Sequence, residues 1–368
     1  MKHVDAAIAG AGVIGLATAL ELASVGLRVV VFERGQAMRE SSWAAAGMLA
    51  AADPENPPVL RPLSNLSISL YPEFLAKVER LSGKKIPIRT QQTLQGTLTL
   101  PPHTKQLSRE AIDAIAPGLQ TGNLRFFQLE EQSLDPRDLA RALPDAVKAA
   151  GVTLLEETAV TSITSQSNSV QIHTSQDEWS TANFINACGA WASDLIGISA
   201  GISIVPRKGQ MLLVEDPLPH PGLTAVLRTP ELYLVPRGNG RIVIGATVEN
   251  AGYGKQVDPV AIAALHNAAA GLWPLIRNAR ILDTWAGLRP TSVDSLPVIG
   301  PSIELDVENG IYSCEETPRS WLALGHFRNG ILLAPATAHL LRQMILQEPL
   351  SIDASAFQSS RFISSIAQ

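Results

Sequence analysis

Three glycines near the N-terminus constrain this chain more than any other feature. Gly10, Gly12 and Gly15 form a G-x-G-x-x-G pattern, and the residues on either side give it meaning. Residues 4–9 are apolar and predict a buried strand, residues 13–24 predict a helix, and residues 28–33 predict a second, valine-rich strand. Valine-rich strands of this kind belong in a parallel sheet covered on both faces. The unit is therefore β-α-β. Its first glycine allows the tight turn, the second lets backbone approach a pyrophosphate, and the third lets helix and strand pack closely. Phosphates would lie at the helix N-terminus, against Val13 and Ile14, where unpaired N–H groups and the macrodipole favour anions. Glu33 ends the second strand at the right distance to accept hydrogen bonds from a ribose diol, with Arg34 beside it. A glycine-rich turn with an incidental glutamate is the competing reading, but it does not explain why the pieces fall in this order. The acid indicates a ribose without separating NAD from FAD. The N-terminal position and an interleaved second domain favour FAD.

The apolar run at residues 6–20, after Lys2 and His3, resembles a secretory segment. Asp5 and Glu21 bracket it, however, and a secretory segment has no use for glycines at fixed positions. A cytoplasmic protein that keeps its N-terminus is expected. A mean hydropathy of +0.13 with 17% charged residues reads as a compact enzyme, and no stretch is long and unbroken enough to span a bilayer. The net charge of −5 with scattered basic residues leaves no electrostatic footprint for nucleic acid. Cys188 and Cys314 form neither a C-x-x-C pair nor a metal-ligand pattern, which suits a reducing compartment. No metal site is expected. The serine-rich end after residue 351 reads as frayed.

Further along, residues 66–81 have helical spacing, and strand-like pieces occur near 86–88, 96–100 and 124–129. Asp135-Pro136 opens a helix with an N-cap and a first-turn proline; it runs to about 150 and is followed by a strand at 152–156. Two strands turning at 167–168 and a third at 183–187 come next. Between 207 and 289 short strands recur (210–214, 232–236, 241–245) with a helix near 260–271, which predicts an antiparallel sheet carrying a helix. Residues 330–347 predict a strong helix, whereas 309–324 show no clear period. The expected fold is α/β: a Rossmann-like, glutathione-reductase-type FAD-binding domain (1–80, 135–206 and 285–368) interleaved with an α+β substrate domain on an antiparallel sheet (81–134 and 207–284).

Three later motifs accompany the glycines. They are Ser41-Ser-Trp-Ala-Ala-Ala-Gly-Met48; Trp285-Ala-Gly-Leu-Arg-Pro, continuing to Asp294-Ser-Leu-Pro-Val-Ile-Gly300; and Gly325-His-Phe-Arg-Asn-Gly-Ile-Leu-Leu-Ala-Pro335. In this order, over nearly the whole chain, they resemble the D-amino-acid-oxidase superfamily of FAD enzymes. The last motif is especially similar to the bacterial glycine oxidases, which supply glycine imine for the thiamine thiazole. The resemblance implies noncovalent FAD, with Ser41, Ala45, Ala46, Gly47 and Met48 along the flavin. It places backbone of Val160 at the adenine and the Asn186–Trp191 segment, including Gly189 and Trp191, over the dinucleotide. Backbone of Asn329, Gly330, Ile331 and Leu332 faces the flavin pyrimidine end. It assigns Tyr233 and Arg289 to the substrate carboxylate and puts Arg328 beside the substrate and cofactor. Val248 stands where related glycine oxidases often have methionine, and the stretch between Gly300 and Gly325 is longer than usual. Cys314 falls in a segment faintly similar to the flavin-linked cysteine region of monomeric sarcosine oxidase, but that segment occupies the place held here by Arg289 to Gly300. Cys314 is read as a loop residue.

The chemistry of these residue types agrees with the implied roles. Arg289 offers a permanently charged fork for a carboxylate, although a structural arginine paired with a core acid would look the same. Tyr233 could equally be a half-buried sheet tyrosine, Arg328 a loop brace, and Cys188 a small core filler. The 330–347 helix would point its N-terminal N–H groups at the flavin and favour negative charge on the reduced ring. No acid–base pair stands out; a neutral substrate amine can release hydride from Cα directly. The implied activity is oxidative deamination of glycine and other small amines or amino acids, with dioxygen reduced to hydrogen peroxide. Small amino acids and dioxygen are the expected partners, together with a thiazole-synthesising enzyme and further copies of the same chain. A sarcosine or D-amino acid oxidase, a quinone-linked dehydrogenase, and a catalytically silent FAD-binding subunit remain as rivals. A silent subunit would have no need of Arg289 and Tyr233.

Overall fold

A computed structural model of the protein describes residues 1–166, 168–195, 202–219, 222–302, 304–306, 311–313 and 319–362. Its central sheet runs in the order Val298–Pro301, Ser320–Leu324, Glu178–Asn186, Lys2–Ala9, Val29–Phe32, Thr153–Leu155. All neighbours on that path pair in parallel except the edge strand Val298–Pro301. The side-chain alternation explains why the first strands are apolar throughout. Ala6 and Ile8, with Val29 and Val31, enter one core; Ala7 and Ala9, with Val30 and Phe32, enter another.

The first core is closed by the helices Val13–Ser24, Arg61–Ser82, Pro136–Ala149 and Gly330–Ile345, whose apolar faces bury Leu16, Leu63, Leu143 and Leu340. The second is closed by the antiparallel strands Val160–Gln166 and Ser169–Thr174, which fold back from Glu178–Asn186 and contribute Ile163, Val170 and Ile172. Asp135 caps the helix Pro136–Ala149, its Oδ1 accepting the Arg137 N–H at 2.9 Å, as the sequence predicts.

The second sheet has the order Ile281–Ser292, Ile204–Glu215, Arg241–Gly245, Tyr233–Gly238, Val226–Arg228, Thr93–Thr97, Arg125–Leu129. Alternation again divides it. Leu212, Val214, Leu234, Ile242 and Ile244 pack under the helix Pro259–Leu272 and around Trp273. Met211, Leu213, Val235 and Val243 face the other way, onto Ala44 and Ala46. That inward face is the one that can address a ligand lying on the first sheet. The expected boundaries at 206/207 and 284/285 fall inside the long strands Ile204–Glu215 and Ile281–Ser292, which pair along their lengths.

Three local expectations change. The segment after residue 351 is not frayed up to Phe362: Phe357 is 1% exposed, and Ser359 Oγ donates to the Pro301 carbonyl at 2.6 Å. Within the aperiodic 309–324 stretch, Ser320–Leu324 is a fully buried strand of the central sheet. A strand buried on both faces has no alternation to read, which is why its period was unclear. The helix Arg109–Ile115, capped by Ser108 and covering the outer face of the second sheet, was not foreseen. Cys314 lies outside the described residues.

Candidate active site

One cavity of about 630 Å³ lies between the two sheets. The residues expected at the cofactor and substrate line it except Gly15 and Leu332, which stand behind the wall, and Asn186 at the start of the 186–191 segment. Gly15 faces Gly10, whose carbonyl oxygen occupies the place a Cβ would need, so its job is helix–strand contact. Leu332 points its side chain into the first core.

At one end is the glycine turn. A Cβ on Gly10 would collide with the Ala187 backbone, whereas one on Gly12 would meet only Ser42 Oγ at 3.4 Å. Gly12 therefore leaves open the space on the cavity side. Ser42 Oγ accepts the Val13 N–H at 2.9 Å, so the N–H groups of Ile14 and Gly15 are the ones left ahead of the first intrahelical bond, Leu16 N to Gly12 O at 3.0 Å. The Glu33 carboxylate is held by the N–H groups of Ala11 (2.9 Å) and Gly35 (3.0 Å), which fixes it at the mouth of the turn. An open glycine, a helix N-terminus and a fixed carboxylate fit the pyrophosphate and ribose of a dinucleotide. Val160, Gly189 and Trp191 close this end, with the Arg34 guanidinium carbon 3.8 Å from the centroid of the Trp191 ring.

The middle of the cavity is shaped by residues 41–48, pinned from several sides. Ser41 Oγ donates to the Leu288 carbonyl, and Trp285 Nε1 donates to the Ala44 carbonyl at 3.0 Å. Arg237, buried in the second sheet, donates to the carbonyls of Ala45 (2.8 Å) and Leu134 (3.1 Å) and pairs with Asp135 at 3.2 Å. Burial lowers its pKa to about 10, a cost offset by these partners. In the sequence, the signal for Arg237 is a charged residue inside an otherwise apolar strand.

The helix Gly330–Ile345 starts at the cavity wall, with Gly330 and Ile331 lining it and Leu333 N to Asn329 O (2.8 Å) as its first intrahelical bond. Pro335 has no N–H for the Ile331 carbonyl. Tyr71 Oη donates to that carbonyl at 2.5 Å, and Ser67 Oγ donates to the next one, Leu332, at 2.6 Å while accepting the Ala336 N–H at 3.3 Å. Two hydroxyls from Arg61–Ser82 thus satisfy the first turn and fix where its N–H groups point.

At the far end, Tyr233 and Arg289 come together from different strands. The Tyr233 ring lies over Gly245 and the Arg289 guanidinium over Gly209; a Cβ on either glycine would strike the side chain above it. Burial pushes the Tyr233 phenol up, opposed by the positive charges of Arg289 and Arg328, and its hydroxyl donates to Met211 Sδ at 3.3 Å. Arg289 Nη1 donates to the backbone carbonyls of Thr247 (3.0 Å) and Lys208 (3.5 Å). Among the described residues no carboxylate pairs with it. None of them therefore neutralises its charge.

Arg328 is different. Nη1 pairs with Glu55 and Nη2 with Asp53, both at 2.6 Å. Asp53 also lies 3.8 Å from Arg228, which pairs with Glu131 at 2.9 Å and donates from Nε to Gln95 Oε1 at 2.5 Å. Asp53, Arg228 and Glu131 have side chains 3% exposed, and burial pushes the Glu131 carboxyl up. This chain of charges, legible only once distant strands are brought together, braces the 50–57 loop against the 326–330 turn. Val248 lines the mouth and is 65% exposed. His326, 4% exposed, shares a hydrogen bond with Thr337 at 3.0 Å, and burial pushes its pKa down to about 3, so it is neutral. Cys188 Sγ donates to the Ala9 carbonyl at 3.4 Å, and burial pushes the thiol up to about 12, which leaves it inert.

Residues 5–344 match the DAO family, described as FAD dependent oxidoreductase. The chain is 33% identical over 376 residues to the "Bifunctional protein ThiO/ThiG" of Trichormus variabilis, an alignment covering 97% of this chain and 55% of that protein. It thus spans about half the length of that relative. It is 32% identical to a glycine oxidase of Pseudomonas aeruginosa, over 93% of this chain and 95% of the other. Its structure superposes on the crystal structure of glycine oxidase from Geobacillus kaustophilus with a TM-score of 0.85 at 29% identity, covering 97% and 98% of the two chains. With the glycine turn, the fixed Glu33 carboxylate and parts of the three later motifs lining one cavity, the chain belongs to the DAO family of FAD-dependent oxidoreductases.

Proposed function

We propose that this protein oxidises glycine and other small amino acids or amines, and that the imine it forms serves a thiazole-synthesising enzyme. The observation that carries the reading is the seat of Arg289. Its guanidinium rests on two neutral carbonyls beside Tyr233, in the cavity that holds the FAD signature. A charge left uncompensated in a partly buried site is suited to a ligand carboxylate. Tyr233 would add a hydroxyl to the same group and set its orientation. When bound, FAD supplies the hydride acceptor and the route by which electrons reach dioxygen, yielding hydrogen peroxide.

The protein's contribution is orientation. Arg289 and Tyr233 would pin the carboxylate so that the Cα–H is directed toward the part of the cavity lined by residues 45–48. Met48, Met211 and Ala246 make that wall apolar and limit water there. Asp53 and Glu55 are engaged by Arg328, so neither is a free base. The amine would enter neutral, having lost its proton to solvent. Relatives named ThiO/ThiG, which extend well beyond this chain, support the link to thiazole formation. A peroxide-coupled screen of the purified yellow protein against glycine, sarcosine, D-alanine and D-proline tests the proposal. Peroxide from at least one of these is expected; amines lacking a carboxylate turned over faster than all four would sink it.

A further inference from the structure

The loop between the strand Arg241–Gly245 and the helix Pro259–Leu272 is tied at its base by one fully buried side chain. Gln210 Nε2 donates to Glu249 Oε1 at 2.8 Å, and Gln210 Oε1 accepts the Asp258 N–H at 2.7 Å. From this base the tip reaches the other layer of the molecule. The Tyr253 ring stacks on Trp191 with centroids 5.9 Å apart and planes 23° apart, and its hydroxyl donates to the Ala190 carbonyl at 3.3 Å. Lys255 Nζ lies 2.9 Å from both carboxylate oxygens of Glu40. Their targets, Trp191, Ala190 and Glu40, line the cavity, and so does Arg34, which packs on Trp191; Tyr253 and Lys255 themselves do not.

The contacts made by the tip are not needed to hold the loop's base, which Gln210 already satisfies. Tyr253 stays 46% exposed while lying on Trp191. We propose that Tyr253 and Lys255 form a clasp that holds Trp191, Arg34 and Glu40 over the adenosine end of FAD and slows its escape. They are positioning residues for cofactor retention. The proposal rests on reading the Glu33 end of the cavity as the adenosine end.

The test follows FAD release from the holoprotein after dilution, read as the return of free-flavin fluorescence. Tyr253→Ala should release FAD about tenfold faster, since a stacked aromatic contact and the cation held beneath it are loosened together. Tyr253→Phe keeps the ring and should restore slow release to within about twofold of wild type. Lys255→Ala removes an exposed ion pair and should accelerate release about threefold at low salt, less at high salt. The thermal midpoint of the Tyr253→Ala apoprotein should stay close to that of the wild type, as a merely structural role would not allow. Glu33→Ala is the reference for the site itself. Faster release from Glu33→Ala with unchanged release from Tyr253→Ala would overturn the clasp and leave the site standing. Unchanged release from both would remove the clasp and the placement of adenosine together. Equal loss in Tyr253→Phe and Tyr253→Ala would exclude the ring as the holding element.

Discussion

Arg289 and Arg328 are both arginines on the same cavity, and their partners separate them. Arg328 is spent on Asp53 and Glu55, whereas among the described residues Arg289 meets backbone carbonyls and Tyr233 but no carboxylate. Arg289→Ala should therefore lower kcat/KM for an amino acid by about a hundredfold or more, the scale of a charge-assisted pair. Arg289→Lys should recover only part of this, because the fork is lost. An amine without a carboxylate should lose far less; equal losses in both would make the arginine structural. Gly209→Ala should raise KM for amino acids too, since its Cβ would displace the guanidinium. The sequence resemblance named Tyr233 and Arg289, but not the glycines beneath them. Cross-strand seats depend on register, which one strand alone does not reveal. His326 gives a pH signature. Its pKa is depressed from an ordinary 6.5 to about 3, so its contribution to stability is complete above pH 6.5 and is lost as pH falls toward 3. The slope is about 1.4 kcal/mol per pH unit for one proton. Denaturant unfolding of the apoprotein at pH 7 and pH 5.5 should show this loss, and His326→Gln should flatten it.

At the scale of elements, the glycine turn yields a sharper test than its motif alone. Substituting Gly10 or Gly15 drives a Cβ into backbone, so Gly10→Ala and Gly15→Ala should fail to accumulate as folded protein. Gly12→Val should fold, because only Ser42 Oγ is close, yet remain colourless when FAD is added. A yellow Gly12→Val protein would put the pyrophosphate elsewhere. The helix at Gly330–Ile345 depends on hydroxyls from another helix, and Tyr71→Phe should cost about 1–3 kcal/mol by leaving the Ile331 carbonyl unpaired. The twelve-residue helix Val13–Ser24 and the five-residue strand Arg241–Gly245 have the bounds their sequences predict. Short strands such as Val226–Arg228 were not legible, since three residues carry no period. The charges at Arg228 and Arg237 were visible as anomalies in apolar strands, but their partners at Glu131 and Asp135 are about a hundred residues away in the chain and meet them only in the fold.

At the scale of the whole molecule, FAD is expected to be held without a covalent bond. Acid or heat precipitation should leave the yellow colour in the supernatant, and Cys314→Ser should stay yellow; colour retained in the pellet would contradict this. The two sheets are joined by more than a packed interface. The strand Ile204–Glu215 begins among Val298, Leu322 and Leu324 of the first sheet and ends with Leu212 and Val214 in the core of the second. Its partner Ile281–Ser292 runs beside it in the opposite direction. A two-stranded beam of this kind resists bending far more than a peptide linker does. Opening the halves on a hinge would have to bend both paired strands, so ligand traffic is expected to pass by loop and side-chain movement at the mouth. Nor can the halves be cut free and studied singly, because any boundary placed between them severs a strand that both cores have already buried.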